Sequence, residues 1–202
     1  MKHVVIYYSQ TGNNKQLAHD LQRRLDCDCV EVRETRKRTR FTTLLDILLD
    51  RKPGVTWPGC DFSAYSKAVL VAPIWAGRIA TPLASFIARE KDNLPDFAFL
   101  SLCAGLRGQP CQIAHELMHL TGRTPELVEQ LNVNDLLPPE RRNKGRHALA
   151  YRASARELLM YEGEIEHFLR LLEPARVISG TPSQACWHRP AASALRSPGA
   201  PA

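Results

Sequence analysis

The sequence predicts an α/β domain in which one open parallel sheet is covered by helices on both faces. Strand-like apolar runs alternate with helical apolar stripes about five times along the 202 residues. The runs are continuous rather than alternating, which is typical of parallel strands buried on both sides. Right-handed crossovers between such strands place the helices on both faces of the sheet.

The first half of the chain predicts two strands and two helices. Residues 4–8 form a continuous apolar strand, and residues 29–32 predict a short second strand. A helix between them has one apolar face, formed by Leu17, Ala18, Leu21 and Leu25. A second stripe predicts a helix that ends before Pro53 and Gly54; its members are Phe41, Leu44, Leu45, Leu48 and Leu49.

The middle of the chain predicts a third and a fourth strand. Residues 68–72 form a buried strand that ends at Pro73. Thr81 is predicted as the N-cap of the next helix, with Pro82 in the first helical position. Residues 97–102 then form the fourth strand, so the alternation of strand and helix continues.

The last part of the domain predicts two helices around a fifth strand. Residues 110–121 form a helix with Gly122 just past its end, and residues 127–133 form the strand. A capping box, Ser154-Ala155-Arg156-Glu157, is expected to open the final helix. The apolar face of that helix consists of Leu158, Ile165, Phe168, Leu169 and Leu172.

Residues 1–173 are therefore expected to form one domain, followed by a tail at 174–202 that is rich in Ala, Ser and Pro. Its composition predicts a disordered or loosely packed segment. The six cysteines have neither zinc-site spacing nor the density of a disulfide scaffold. Because the first strand begins directly after Met1, Lys2 and His3, no signal peptide is expected. No apolar run is long enough to span a bilayer. These features together predict a cytoplasmic protein without a membrane segment.

The net charge of +6 is concentrated in two segments. Residues 33–40 carry +4 and residues 140–146 carry +3, so the rest of the chain is nearly neutral. Each segment follows a predicted strand, the second and the fifth, and both are expected at the carboxyl edge where parallel sheets bind ligands. The basic residues lack interleaved aromatic side chains, which argues against nucleic acid as the partner. A pair of idle, solvated loops is the alternative interpretation.

A small polar turn follows the first strand and runs directly into a helix. It offers hydroxyl groups, a flexible glycine and the amides of a helix N-terminus, and these groups bind anions. It matches neither the triphosphate loop nor the dinucleotide-binding pattern, so a monophosphate is the predicted ligand. An ordinary polar turn is the alternative. The residues are Ser9, Gln10, Thr11, Gly12, Asn13 and Asn14.

This turn resembles the phosphate loop of the flavodoxin family, [ST]-x-T-G-x-[ST], except that Asn14 replaces the last hydroxyl residue. A second match is Asp61-Phe62-Ser63-Ala64-Tyr65, then a strand, then Pro-Ile-Trp-Ala-Gly, which resembles "D-L-S-x-Y-D" and "P-V-W-x-G" of flavodoxin-like proteins. The resemblance implies a loop beside the isoalloxazine ring, with Trp75 against the ring. An ordinary core tryptophan is the alternative. The loop consists of Pro73, Ile74, Trp75, Ala76 and Gly77.

The resemblance covers about residues 3 to 133 and implies a second ring loop, formed by Cys103, Ala104 and Gly105. It also implies the flavodoxin-like strand order 2-1-3-4-5 and flavin mononucleotide (FMN) as the cofactor. The expected function is electron transfer through bound FMN, with no catalytic acid or base required. Alternatives are an NAD(P)H-dependent quinone or flavin reductase and, less favoured, a flavin-free basic interaction module.

Two features depart from the acidic electron carriers of this family. The second ring loop has no carboxylate or aromatic residue, and Arg78 and Arg107 lie beside the two ring loops. Cationic surroundings favour the reduced, anionic flavin and are expected to raise its potential. The basic segments are then expected to attract an acidic redox partner protein or an anionic substrate such as NADPH.

Residues 115–119 satisfy the zinc-protease pattern HExxH. They lie on a predicted helix that needs Leu117 and Met118 for packing, and no third ligand is near in sequence. A structural helix without a metal is therefore the favoured interpretation.

Overall fold

The computed structural model confirms an open sheet of five parallel strands with helices on both faces. It describes residues 2–36, 53–105, 108–143 and 145–173. The strands in chain order are β1 His3–Tyr7, β2 Asp28–Glu31, β3 Arg33–Glu34, β4 Val55–Thr56, β5 Lys67–Val71, β6 Ile74–Trp75, β7 Arg78–Ile79, β8 Asp96–Cys103 and β9 Val128–Asn132. The helices are α1 Asn13–Leu25, α2 Thr81–Glu90, α3 Gln109–Thr121, α4 Gly145–Ala150 and α5 Glu162–Leu172.

The main sheet has the order β2-β1-β5-β8-β9. When only the strands of the main sheet are counted, in chain order, this is the predicted order 2-1-3-4-5. The short strands β3 and β4 pair with each other, and so do β6 and β7. The order in which the chain adds strands therefore reverses between β1 and β5, and this switch point is where folds of this kind bind ligands.

Alternate residues of the central strands pack on opposite faces of the sheet. Val4 and Ile6 join one apolar core, and Val5 and Tyr7 join the other. The first core includes residues of α2 and α3, such as Phe86 and Ile113, whereas the second includes residues of α1 and α5. Both faces are therefore covered, as the continuous apolar runs predict.

Some predictions lie outside the described residues. The apolar stripe at 41–49, the tail at 174–202 and Arg107 are among them. So are three basic residues of the 33–40 segment and one of the 140–146 segment, namely Lys37, Arg38, Arg40 and Lys144.

Two predicted helix starts are wrong, because the N-cap lies one residue earlier than predicted in the first helix and seven residues later in the second. Ala80, not Thr81, is the N-cap of α2, since the Ala80 amide donates to Pro73 O at 3.0 Å and holds residue 80 in a non-helical conformation. The capping box does form, with the Ser154 amide 2.8 Å from Glu157 Oε2. It opens a 3₁₀ turn, Glu157–Tyr161, and α5 begins only at Glu162. Among the described residues, no helix is both long and apolar enough to cross a membrane.

Asn14 joins the start of α1 to the end of β8. Its Nδ2 donates to Leu102 O and its Oδ1 accepts from the Leu102 amide, both at 3.0 Å, and Asn14 is only 2 % exposed. β5 pairs with β8 only as far as Leu100, so Leu102 lies beyond the end of its neighbouring strand. The carboxamide of Asn14 thus takes the place of a peptide group and continues the hydrogen-bond ladder.

We expect Asn14→Ala to lower the free energy of unfolding by roughly 2–4 kcal/mol, because it leaves a buried amide and a buried carbonyl without partners. Urea unfolding followed by circular dichroism measures the loss. Gln16→Ala is the control, since Gln16 is exposed on the same helix and is expected to change the free energy by less than about 0.5 kcal/mol. Equal stability of the two variants would contradict the structural role of Asn14.

Candidate functional site

Three loops meet at the carboxyl edge of the sheet. The β1 loop comprises residues 8–12 and the β5 loop residues 72–80; of the β8 loop, the structure describes Ala104, Gly105 and Gly108. Their strands are neighbours in the sheet, so the loops lie side by side at the switch point. The Tyr8 amide donates to Val71 O at 2.9 Å, which holds the start of the β1 loop against the end of β5.

The β1 loop is shaped by a glycine in the left-handed region. Gly12 has φ 98° and is the N-cap of α1. Its amide donates to Ser9 Oγ at 3.1 Å, so the Ser9 hydroxyl is turned into the loop. The first amides of α1 have no partner within the helix, and its first turn contains no acidic residue. The loop therefore has the donors and the positive helix end that bind an anion.

The two asparagines that follow Gly12 use their side chains elsewhere. Asn14 bonds Leu102, as described above. Asn13 Nδ2 donates to Tyr151 O and Asn13 Oδ1 accepts from the Ala153 amide, both at 2.9 Å. Both carboxamides therefore already have two hydrogen bonds each. The prediction that Asn13 and Asn14 bind an anion now concerns their main-chain amides.

Arg152 lies at the same loop and was not singled out from the sequence. Its guanidinium donates to Thr11 O, although the two residues are 141 positions apart in the chain. The sequence places the connection after β9 at this edge, but it gives no signal for which of its arginines reaches the β1 loop.

The β5 loop folds into a hairpin. Ile74 pairs with Ile79 and Trp75 with Arg78, which leaves a two-residue turn. Both turn residues have positive φ, 48° at Ala76 and 81° at Gly77. Type I′ turns require this geometry, and their twist matches that of the paired strands. The sequence signal was weak because Ala seldom occupies a left-handed position.

Glu116 anchors the hairpin to α3. Its Oε2 accepts from the Ile79 amide at 2.8 Å, and its Oε1 lies 3.7 Å from Arg78 Nε. The glutamate of the HExxH pattern is therefore engaged in holding the β5 loop. His115 and His119 are exposed. Across the described ranges, no group of three or more His, Cys, Asp or Glu residues is placed to hold a metal ion.

Trp75 lies at the switch point and is partly buried. Its ring meets Tyr8 edge to face, with ring centroids 5.8 Å apart and an angle of 88° between the planes. Tyr8 is 7 % exposed, and its hydroxyl donates to Glu34 Oε1 at 2.6 Å. The two rings therefore connect the β1 loop to the β5 loop, with Tyr8 in the core and Trp75 packed against it. Sequence reasoning missed Tyr8 and Glu34; the aromatic residue at the end of the first strand was the available signal.

The β8 loop is tightly packed against the chain that follows β9. Gly105 has φ 65°, and a Cβ there would lie 2.7 Å from Asn132 Cγ, so the position requires glycine. Asn134 Nδ2 donates to Ala104 O at 2.7 Å and fixes the loop. Cys103 is buried, and burial raises the pKa of its thiol, which keeps it protonated and unreactive. The described residues of the loop carry no carboxylate and no aromatic ring.

The sheet order and the three loops define the flavodoxin-like class of α/β fold. The structure is similar to a flavoprotein in complex with FMN from Lactobacillus acidophilus NCFM, with a TM-score of 0.57, 19 % identity, and coverage of 64 % of this chain and 92 % of that chain. It is also similar to a proposed flavoprotein from Bacteroides eggerthii DSM 20697, with a TM-score of 0.56, 14 % identity, and coverage of 82 % and 98 %.

The NMR structure of the apo-form of the Lactobacillus flavoprotein gives a TM-score of 0.53 at 18 % identity, covering 64 % of this chain and 91 % of that chain. No family model and no curated protein matches the sequence. At these identities the similarity establishes the fold, and the function must be argued from the site itself.

We expect Ala76→Gly to raise the free energy of unfolding by about 1 kcal/mol, because a left-handed conformation is costly for Ala and not for Gly. Gly77→Ala is expected to lower it by about the same amount or more, since its Cβ would also lie 3.3 Å from Gln112 Oε1. Urea unfolding measures both changes. Ala64→Gly, at an exposed position outside the left-handed region, is the control and is expected to give no gain. A gain at residue 64 equal to that at residue 76 would contradict the explanation.

Proposed function

We propose that the protein binds FMN at the carboxyl edge of its sheet and transfers electrons through it. One observation carries the proposal: the N-terminus of α1 follows the β1 loop at the switch point, and the partly buried Trp75 packs on Tyr8 at the start of that loop. FMN has the matching chemistry, because it joins a phosphate dianion to a planar apolar ring.

The residues present fit this cofactor. Main-chain amides of residues 10, 11, 13 and 14 and the Ser9 hydroxyl would hold the phosphate, while Gly12 shapes the loop through its bond to Ser9. A Cβ at Gly12 would meet no atom within 4 Å, so the loop is open at this position. Residues 73–77 and 103–105 would flank the ring. Bound FMN supplies one- and two-electron redox chemistry, and the protein supplies orientation, access and electrostatics.

The fold comparison supports the proposal from outside the chain. The Lactobacillus flavoprotein, which has the same fold, was crystallised in complex with FMN. The fold alone does not assign FMN to this chain, since unrelated functions share this fold. The assignment depends on the residues of the site as well.

The charges around the proposed ring site differ from the sequence-based expectation in one respect. Arg78 lies next to the Glu116 carboxylate, so part of its positive charge is balanced. Glu34 also brings a carboxylate to Tyr8. The β8 loop still offers no carboxylate in its described residues. We therefore propose a flavin potential above that of a carboxylate-lined site, by a smaller margin than two unpaired arginines would give.

We expect FMN to lose fluorescence when titrated into the apo-protein and to raise its melting temperature. Trp75→Leu should weaken binding about tenfold or more, because stacking of an aromatic ring on a planar base contributes about 1–3 kcal/mol. Trp57→Leu is the matched control, since Trp57 is also partly buried but packs on Phe86. If the folded wild-type protein neither quenches FMN nor gains stability from it, the proposed function is wrong.

A reductase on the same fold is the second candidate. Arg36 and Arg141 are exposed in the two basic segments, where they would attract an anionic substrate such as NADPH as readily as an acidic redox protein. The two candidates differ in their electron donor. A carrier takes electrons from a partner protein, whereas an NAD(P)H-dependent quinone or flavin reductase takes them directly from the nicotinamide.

We expect the FMN-loaded protein to stay oxidised when mixed with NADPH alone in a stopped-flow experiment, and to be reduced in two resolved one-electron steps in a dithionite titration. This outcome supports the carrier. Rapid bleaching of the flavin by NADPH would instead establish the reductase. In that case, Arg36→Gln with Arg141→Gln should slow bleaching and flatten its dependence on salt.

A further inference from the structure

The connection between β9 and α5 is fixed to the N-terminus of α1 by Asn13. Both amide atoms of Asn13 bond main-chain atoms, Tyr151 O and the Ala153 amide, at 2.9 Å. Asn13 is 5 % exposed, so these bonds are shielded from water. The two bonds bracket one residue, Arg152, and hold its main chain next to the N-terminus of α1.

A further contact stabilises the same segment. The Tyr151 hydroxyl donates to Glu157 Oε1, and Glu157 in turn accepts from the Ser154 amide at 2.8 Å. The carboxylate of Glu157 is thus held by Tyr151 and Ser154 within its own connection. Arg152 therefore projects from a backbone that is fixed on both sides.

The position of the Arg152 guanidinium is electrostatically unfavourable with respect to the helix end. The guanidinium donates to Thr11 O, beside the positive end of α1. The first turn of α1 contains no acidic side chain, and it contains a second cation, the exposed Lys15. A cation at a helix N-terminus is unfavourable unless an anion lies there too. A bound anion would turn this repulsion into attraction from both sides.

The guanidinium of an arginine can bind an anion while it keeps its hydrogen bond to Thr11 O. The guanidinium has five N–H donors in a planar fork, and the Thr11 carbonyl uses one side of it. The remaining donors match the oxygens of a phosphate monoester, which they bind in charge-assisted pairs. Thr11 directly precedes Gly12 and the first residues of α1 in the chain, so the guanidinium that contacts Thr11 O lies beside the start of the helix.

We propose that Arg152 binds the phosphate monoester of the cofactor and makes the site select FMN over riboflavin. This inference rests on the proposed function and deepens it, because it assigns the recognition of the phosphate to a residue outside the β1 loop. The two hydrogen bonds of Asn13 position Arg152, since they hold residues 151 and 153 beside the β1 loop although these residues lie about 140 positions later in the chain.

The test compares the affinities of the apo-protein for FMN and for riboflavin, measured by quenching of flavin fluorescence. Arg152→Gln is expected to weaken FMN binding about tenfold, the effect of losing one charge-assisted contact. Riboflavin binding should change by less than about twofold, because it carries no phosphate. The FMN affinity of the variant should also depend less on salt than that of the wild type.

Two further variants keep the test decisive. Arg152→Lys retains the charge but not the planar fork, and is expected to bind FMN with intermediate affinity. Arg156→Gln removes the same charge from an exposed position of the same connection, and should leave both affinities unchanged. Circular dichroism and melting temperature establish that each variant is folded.

The outcomes separate this inference from the proposed function. Equal losses for FMN and riboflavin in Arg152→Gln, or no loss for FMN, would overturn the role of Arg152 while FMN binding by the wild type stands. Binding of neither flavin by the folded wild type would overturn both.

Discussion

Two adjacent carboxamides at the start of α1 determine the geometry of the carboxyl edge. Asn14 replaces a peptide group in the ladder of β8, and Asn13 replaces one between Tyr151 and Ala153. Each makes two bonds to main-chain atoms in a buried place, where an unmade bond is costly. The N-terminus of α1 is therefore fixed to the fourth strand of the sheet on one side and to the last connection on the other. The free amides of its first turn can then face a ligand without any rearrangement.

The same kind of bond holds the other two loops. Glu116 fixes the hairpin from α3, and Asn134 fixes the β8 loop from the chain after β9. In each case a polar side chain from a distant element bonds the main chain of the loop. Loops held in this way lose little entropy when a ligand binds, so more of the interaction energy appears as affinity. The arrangement suits a cofactor that stays bound through many electron transfers.

The fold was predictable from local patterns because strands buried on both faces and helices buried on one face leave different periodicities. The strand order was predicted because the turns after the first and third strands of the sheet, in chain order, resemble those of the flavodoxin family. The individual roles within the site were not predictable, because they depend on contacts between residues far apart. Asn14 bonds Leu102 across 88 positions, and Arg152 reaches Thr11 across 141. At Asn14 the departure from the family's hydroxyl residue marked the position; only the structure shows that its side chain serves β8.

The hydrogen-bond partners of Asn13 and Asn14 lie much later in the chain, so during synthesis these bonds form only after the later elements have been made. β1 and α1 are made first, but Asn14 lacks its partner until β8 has left the ribosome, and Asn13 lacks its partners until residues 151–153 follow. Closing so long a segment costs chain entropy that only the assembled sheet repays. The growing chain therefore completes the contacts of this turn only after residues 151–153 have been translated, so a shorter fragment lacks the bonds that fix the start of α1.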